Sequence, residues 1–120
     1  MAYAAAEGLA ADGGLIYESG PLHHGRVTEK HWWVQAEAVV GFFNAWQLSG
    51  EQAFLDKSRA VWKFIRQHII DYSGGEWFWG VTAEGDVMQG YEKAGFWKCP
   101  YHNSRACIQM IRRLSAHSNV

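Results

Sequence analysis

The sequence predicts an all-α fold made of paired antiparallel helices, with one short β-hairpin. Three observations support this prediction. The stretch Lys30–Leu48 is apolar nearly all round after its first two residues, as in a helix that is buried on every side. The stretch Glu51–Ile70 has one apolar stripe at helical spacing and a charged opposite side, so it should cover the first helix from outside. A third amphipathic helix is predicted over Ser104–Ser115.

Alanine and glycine predict the N-terminal elements. Residues 1–11 are rich in alanine and are followed by Gly13 and Gly14, which indicates the last turns of a helix that a glycine ends. Residues 15–29 mix glycine, proline and polar side chains, so we predict a loop there. This loop would lead into the buried helix.

The turn between the two long helices is predicted to be tight. Ser49 and Gln52 have the spacing of a capping box, in which two side chains at a helix start each bond the backbone N–H of the other residue. We therefore expect Ser49 to cap the second helix. A short turn of this kind makes the two helices an antiparallel pair.

Alternation and turn residues predict the C-terminal elements. Residues 75–88 alternate on both sides of a turn at 83–86, which predicts a short β-hairpin. Residues 89–102 are expected to form a loop. Asn103 is the predicted N-cap of the last helix, since asparagine is a preferred residue at that position.

Composition and charge exclude several classes of protein. The 120 residues allow one domain, and the balance of 11 basic and 12 acidic side chains argues against a nucleic-acid partner. No apolar run is long enough for a membrane span, and the N-terminus lacks the basic start of a secretory signal. Two cysteines make no disulfide framework, so a reducing, cytoplasmic location is expected.

The sequence is rich in aromatic residues. The 7 Trp, 5 Tyr and 6 Phe favour either a packed aromatic core or a surface that stacks sugar-like ligands.

The densest group of reactive side chains lies in residues 95–105, GFWKCPYHNSR. His102 is placed just before a predicted helix start, where the positive end of the helix dipole disfavours the imidazolium form. A neutral histidine close to Trp97 suits a sugar site, because the indole can stack on the sugar while the imidazole moves a proton. The alternative is that His102 only caps the helix or bonds within the loop.

A second group of candidate residues lies on the buried helix. Trp33 and Glu37 are four residues apart and therefore share one helix face. A carboxylate on an apolar helix is costly unless it is paired or hydrated. Glu37 is expected either to face a polar cavity or to form an ion pair between helices, with Lys98 or Arg105.

Metal and thiol chemistry are weaker alternatives. Cys99, His102 and Cys107 could supply three soft metal ligands, and His23 or His24 could supply a fourth. No second paired motif supports such a site, so we predict no metal. Cys99 and His102 could also form a nucleophile pair, although nothing in the sequence activates Cys99. The other histidines are interpreted as surface or helix-flank residues: His31, His68 and His117.

Three longer segments carry a family resemblance. They are, in chain order, HWWVQAEAVVGFFNAWQLSG, GEWFWGVTAEGD and KAGFWKCPYHNSRAC. Together they resemble the C-terminal part of the N-acylglucosamine 2-epimerase superfamily, most closely its cellobiose 2-epimerase branch, from Gly13 to nearly the end of the chain. The resemblance implies an (α/α)6 barrel of six outer helices around six inner ones. Residues 1–120 would form the C-terminal segment of that single domain, with the N-terminal part missing.

The resemblance also implies an activity. The implied enzyme is an isomerase that inverts carbon 2 of the reducing-end glucose of cellobiose-like disaccharides. One histidine removes the C2 proton, an enediolate forms, and a second histidine reprotonates the opposite face, without a metal or nucleotide cofactor. By the motif match, His102 is the catalytic histidine and Glu37 is the acidic residue of the pocket. Trp33 and Trp97 match residues that contact the sugar. The implied partner is a small carbohydrate, and the oligomeric state is left open.

The sequence departs from the family in one respect. The second catalytic histidine and a substrate-binding arginine lie in the N-terminal part of family members, and no matching segment occurs here. The chain is therefore expected to be an incomplete fragment that is inactive alone. Two alternatives stay open, an aldose–ketose isomerase of the mannose isomerase type and a non-catalytic sugar-binding or interaction fragment. A glycoside hydrolase would need two opposed carboxylates, and Glu37 and Glu76 lack the motif context for that role.

Overall fold

The computed structural model describes residues 2–20 and 25–117. In this part of the chain, α-helices dominate and the strands are short. The elements in chain order are α1 (Ala2–Glu7), β1 (Glu18–Gly20), β2 (Gly25–Val27), β3 (Lys30–His31), α2 (Trp32–Ser49), α3 (Gln52–Phe64), β4 (Gly80–Val81) and α4 (Tyr101–His117). A π-helical turn, Ile65–Ile69, extends α3.

The central element of the fold is α2. It packs against α3 and against α4, and Ser58 of α3 ties the first pair together by donating its hydroxyl hydrogen to the carbonyl oxygen of Val39 at 2.8 Å. Removal of the apolar side chains from water is the main contribution to the stability of such a pair. The core consists of these buried residues: Trp32, Ala36, Ala38, Val39, Phe42, Phe54, Val61, Phe64, Ile65, Ile69, Trp77, Val81 and Ala106. The prediction that α2 is buried on all sides is correct only in part. Trp33 and Gly41 of this helix are exposed.

The turn between α2 and α3 is as tight as predicted, but the capping box is wrong. Ser49 is the last residue of α2 and donates to the carbonyl oxygen of Ala45 at 2.9 Å. Gly50 adopts the left-handed conformation, with a φ of 74°, and its N–H bonds the carbonyl oxygen of Trp46. Since the glycine ends the helix, α3 starts only at Gln52, and no side-chain cap bond forms there.

The N-terminal elements differ from the prediction in two ways. Helix α1 ends at Glu7, well before the predicted glycine stop. The predicted loop contains an antiparallel pair, β1 with β2, in which Glu18 lies opposite Val27. These three-residue strands have no buried face. They therefore lack the apolar alternation by which a strand is recognised in a sequence.

The predicted hairpin over residues 75–88 is mostly replaced by a long-range pairing. Strand β4 pairs with β3, so that Lys30 lies opposite Val81 and His31 opposite Gly80. The local part is a single bridge between Val81 and Val87 that closes the predicted turn. The backbones of β3 and β4 approach so closely that a Cβ atom on Gly80 would lie 2.6 Å from the carbonyl oxygen of Lys30. Because α2 begins directly after β3, this pairing fixes where the helix starts.

The last helix begins earlier than predicted. The carbonyl oxygen of Pro100 accepts from the N–H of Ser104 at 3.3 Å, and α4 starts at Tyr101. His102 and Asn103 therefore lie inside its first turn, so the assignment of Asn103 as the N-cap is wrong. Since its carbonyl oxygen accepts the first bond of the helix, Pro100 and not Asn103 occupies the N-cap position.

Candidate active site

The site lies where the first turn of α4 meets the first two turns of α2. His102 Nδ1 is 2.7 Å from Glu37 Oε1, although the two residues are far apart in the chain. The backbone N–H of Trp32, the first residue of α2, donates to the carbonyl oxygen of Trp79 at 2.9 Å. Together with the β3–β4 pairing, this bond holds the N-terminal end of α2 in place, and with it the helix face that carries Glu37.

A second group holds the same carboxylate. The guanidinium of Arg105, one turn after His102, bonds Glu37 Oε1 and also donates to the hydroxyl of Tyr101 at 3.1 Å. Of the two ion-pair partners considered for Glu37, the structure shows Arg105. Glu37 and His102 are both partly open to solvent, so the carboxylate is paired between helices and also borders accessible space.

Two tryptophans surround the imidazole. The Trp32 ring is buried and meets the His102 ring edge-on, with 5.5 Å between centroids. The Trp33 ring lies 5.8 Å from the His102 ring and is 37% exposed. An exposed indole next to a histidine held by a carboxylate can stack against a planar or sugar-like ligand.

Trp97 is the predicted site residue that the structure leaves apart. Its side chain is 81% exposed on the loop that precedes α4, and its ring packs edge-on against Phe96. The structure therefore brings together three of the four predicted site residues: Trp33, Glu37 and His102.

One histidine interpreted as a surface or helix-flank residue belongs to the surroundings of the site. His31 is largely buried, its Nε2 atom is 2.9 Å from the Glu29 carboxylate, and its ring lies 4.2 Å from the ring of Tyr17. The Tyr17 ring in turn meets the Trp33 ring edge-on at 6.1 Å. His31 directly precedes α2, as the helix-flank interpretation predicts, but its side chain is not at the surface.

Of the other two histidines, His68 lies in the π-helical turn, where its ring packs against Phe64, as the helix-flank interpretation predicts. His117 is the last residue of α4, and its side chain lies outside the described residues.

Sequence reasoning missed a polar cluster that includes the residue directly after His102. We call Glu76, Lys98 and Asn103 the Glu76 cluster. Lys98 is buried, and its ammonium donates to the backbone carbonyl oxygens of Trp77 and Lys93, both at 2.8 Å. Burial lowers the pKa of Lys98, and the nearby Glu76 carboxylate opposes that shift. The signal for this cluster was present in the motif WKCPYHNSR, which contains both Lys98 and Asn103.

The Glu76 carboxylate accepts hydrogen bonds from three sides. Its Oε1 atom lies 3.0 Å from the N–H of Trp77, 2.6 Å from Asn103 Nδ2 and 3.4 Å from Lys98 Nζ. Burial raises the pKa of Glu76, but the Trp77 N–H and the Lys98 charge outweigh it, so the pKa lies below its usual range. Glu76 is therefore held ionised by its partners.

The two cysteines are free thiols that differ in burial. Cys99 is exposed, whereas Cys107 is half-buried, and burial raises the pKa of the Cys107 thiol. Among residues 2–20 and 25–117, no group of three or more His, Cys, Asp or Glu side chains could hold a metal ion. The candidate ligands His23 and His24 lie outside the described residues.

Within residues 2–20 and 25–117, no helix is long and apolar enough to cross a membrane.

An apolar groove of about 590 Å³ lies between α2, α3 and α4, away from Glu37 and His102. Its lining is mostly aliphatic and aromatic: Ala36, Val39, Phe43, Trp46, Leu55, Ser58, Arg59, Trp62, Ile65, Trp77, Ala106, Cys107, Met110, Ile111 and Leu114. The groove therefore has the character of a packing surface and offers few polar groups for catalysis.

Comparisons with known proteins identify the family of the chain. The family model described as N-acylglucosamine 2-epimerase (GlcNAc 2-epimerase) matches residues 1–106. The chain is 48% identical over 112 residues to the cellobiose 2-epimerase of Bacteroides fragilis, an alignment covering 92% of this chain and 28% of that protein. It is 25% identical over 103 residues to the D-mannose isomerase of Marinomonas mediterranea, covering 86% of this chain and 26% of that one.

A solved structure shows the same packing. The cellobiose 2-epimerase from Spirochaeta thermophila DSM 6192 matches with a TM-score of 0.88 and 46% identity, covering 96% of this chain and 29% of that one. The predicted fold class is thereby confirmed as the paired-helix packing of an (α/α)6 barrel. The chain spans between a quarter and a third of the length of these relatives.

Proposed function

The chain belongs to the N-acylglucosamine 2-epimerase family, and from this we propose that it supplies one side of the active site of a sugar 2-epimerase. The proposed substrate is a cellobiose-like disaccharide whose reducing-end glucose is inverted at carbon 2. The observation that carries the proposal is the 2.7 Å contact between His102 Nδ1 and Glu37 Oε1, beside the exposed Trp33. The 48% identity to a cellobiose 2-epimerase supports this choice of reaction and substrate.

The contact with Glu37 determines which nitrogen of His102 can react. An ionised carboxylate only accepts hydrogen bonds, so it favours the tautomer whose proton is on Nδ1. The lone pair is then on Nε2, which acts as the general base. Arg105 bonds the same carboxylate oxygen and keeps Glu37 from turning away. Glu37 and Arg105 together hold the imidazole in the orientation and tautomer that proton transfer needs.

The proposed reaction is a proton transfer in two steps. In the open-chain sugar, Nε2 takes the proton from C2, and the electrons of the C–H bond form a C1=C2 double bond while charge moves to O1. The resulting enediolate is reprotonated at C2 from the opposite face, and the carbonyl at C1 reforms. Inversion therefore needs a second proton-transfer group, which we assign to the part of the family barrel that this chain does not span.

The aromatic residues are proposed to hold the sugar. The exposed Trp33 ring adjoins His102, so a sugar stacked on it would lie within reach of the imidazole. Trp97 stands on the exposed loop five residues before His102, and we assign it a contact with the substrate from that side.

An aldose–ketose isomerase is the second candidate, and the match to a D-mannose isomerase supports it. Both reactions begin with removal of the C2 proton. They differ in where the proton returns, since return to C1 produces a ketose and return to C2 produces the epimer. The higher identity to the cellobiose 2-epimerase favours return to C2.

The test uses a chimera in which this chain replaces the matching segment of the Bacteroides fragilis enzyme, because the chain spans 28% of that protein. We expect the chimera to convert cellobiose to glucosyl-mannose and, in D2O, to incorporate deuterium at C2. His102→Ala should abolish both, whereas the matched control His68→Ala should abolish neither. Glucosyl-fructose as the product would favour the aldose–ketose isomerase. A folded chimera without any turnover would contradict both reactions and favour a non-catalytic role.

The isolated 120-residue chain serves as a further control. We expect it to form no glucosyl-mannose from cellobiose, because a single proton-transfer group on one face cannot complete an inversion. Sugar analysis after incubation measures this directly. Product formed by the purified chain would show that His102 works without the partner that we place on the opposite face.

A further inference from the structure

The first turn of α4 is held by two carboxylates through two consecutive residues. Glu37 of α2 contacts His102, and Glu76 contacts Asn103. Asn103 is buried, and both ends of its amide are used: Nδ2 donates to Glu76 at 2.6 Å and Oδ1 accepts from the N–H of Ser104 at 3.0 Å. The residue that follows His102 is therefore fixed as firmly as His102 itself.

Glu76 is a rigid partner for this asparagine. Its φ is 61°, in the left-handed region that residues other than glycine rarely adopt. Its carboxylate also accepts from the N–H of the next residue, Trp77, at 3.0 Å. A residue in such a conformation persists only where its surroundings hold it, and here those surroundings include Lys98 and Asn103.

Lys98 connects the cluster to the indole that packs against His102. Its buried ammonium lies 3.4 Å from Glu76 Oε1 and 4.7 Å from the centroid of the Trp32 ring. Trp32 packs edge-on against the His102 ring. The cluster therefore contacts His102 by two routes, through the backbone of Asn103 and through the indole of Trp32.

The first turn of a helix needs such support. Its N–H groups have no acceptors within the helix, so it can rotate or fray more easily than the middle of the helix. Successive side chains of a helix point about 100° apart. Anchoring His102 in one direction and Asn103 in another fixes the rotation of this turn about the helix axis. The same anchors then fix the direction in which His102 Nε2 points.

From this geometry we propose that Asn103, held by Glu76 and Lys98, is a positioning residue that aims His102 at the C2 proton. The proposal rests on the function proposed above. Asn103 touches no reacting atom in this scheme, and its effect reaches the substrate only through the orientation of the imidazole.

The test removes the Asn103 contact and then rebuilds it with donor and acceptor exchanged. In the chimera, Asn103→Ala should lower kcat on cellobiose by about tenfold to a hundredfold while KM stays within about twofold, since a small misplacement of a catalytic group costs rate and leaves binding intact. Asn103→Asp, which places two carboxylates together, should lower kcat as well. The double variant Asn103→Asp with Glu76→Gln restores one donor and one acceptor and keeps the charge of the cluster, so it should recover most of the lost kcat.

A spectroscopic measurement separates positioning from activity. With 15N-labelled histidine, the Nδ1–H signal of His102 is assigned by its loss in His102→Ala. We expect this signal to shift or broaden in Asn103→Ala and to return in the double variant. The control is Gln89→Ala, which removes another amide of the preceding loop whose contact is to the carbonyl oxygen of Val87, and it should change neither kcat nor the signal.

Two results would overturn the proposal. One is an unchanged His102 signal and kcat in Asn103→Ala. The other is a loss of kcat that only follows the folded fraction in thermal unfolding and that the double variant does not recover. If the unsubstituted chimera has no activity, the proposed function fails, and the His102 signal still decides whether Asn103 positions the imidazole.

Discussion

Two carboxylates hold the same turn of α4, and their partners differ in burial. The Glu37 and Glu76 side chains are similarly exposed, at 38% and 31%. The partners of Glu37, which are His102 and Arg105, are about one-third exposed, whereas Lys98 of the Glu76 cluster is 1% exposed. A carboxylate whose partners reach solvent can take part in chemistry on a ligand. A carboxylate whose partners are buried has a structural role instead. Water cannot replace its hydrogen bonds, so it keeps the nearby backbone in place.

The largest expected difference between the two carboxylates is in their effect on kcat. Glu37→Gln in the chimera should lower kcat on cellobiose by at least about a hundredfold, because an amide can donate to Nδ1 and so move the histidine proton to Nε2, where it blocks the base. Glu76→Gln should lower kcat by only about tenfold, since it weakens the positioning of His102 and leaves its tautomer unchanged. Steady-state kinetics measures both variants. Equal losses in the two variants would break the distinction between chemistry and positioning.

A smaller effect concerns the free energy of unfolding. Lys98→Ala leaves the carbonyl oxygens of Trp77 and Lys93 without their donor and Glu76 without its cation, which should cost about 3 kcal/mol. Arg105→Ala should cost less than about 1 kcal/mol, since the ion pair of Arg105 is partly solvated. Urea denaturation of the two variant chimeras checks this difference. A larger loss for Arg105→Ala would show that the exposed cluster, and not the buried one, stabilises the fold.

The smallest expected effect is on the acid side of the stability curve. The pKa of Glu76 is lowered in the folded protein, so its ionised form stabilises the fold above the pKa of the unfolded state. That contribution disappears as the pH falls through the folded pKa. Glu76→Gln should therefore make the free energy of unfolding less dependent on pH below about pH 5. Glu84→Gln, at an exposed position of a turn, is the control in the same urea titrations. Parallel curves for the wild type and Glu76→Gln would contradict the lowered pKa.

Local sequence patterns predicted the two long helices well. The bounds of α2, and those of α3 with its π-helical turn, lie within two residues of the predicted ones. A helix makes its hydrogen bonds within one segment, so its periodicity is visible in that segment. The predicted capping box was wrong because local sequence leaves the helix boundary ambiguous. Ser49 and Gly50 can each end one helix or begin the next, and here Gly50 adopts the left-handed conformation that ends α2.

The sequence predicted which residues belong to the candidate site better than it predicted the contacts between them. The motif and the helix face identified Trp33, Glu37 and His102, which the structure brings together. The pairing of Glu37 with Arg105 was one of two alternatives, because spacing alone could not place Arg105 closer than Lys98. The position of Trp97 could not be predicted, since a loop without regular hydrogen bonds has no periodicity from which to place its side chains.

The sequence by itself determined α2, α3 and the family, because these depend on periodicity within a segment and on the order of motifs. Only the tertiary structure decided which donors and acceptors meet. Glu37 with His102 and Glu76 with Asn103 each join residues that are distant in the chain, as do β3 and β4. A hydrogen bond requires a separation near 3 Å and a suitable angle, and only the packing of α2, β4 and α4 against one another supplies both.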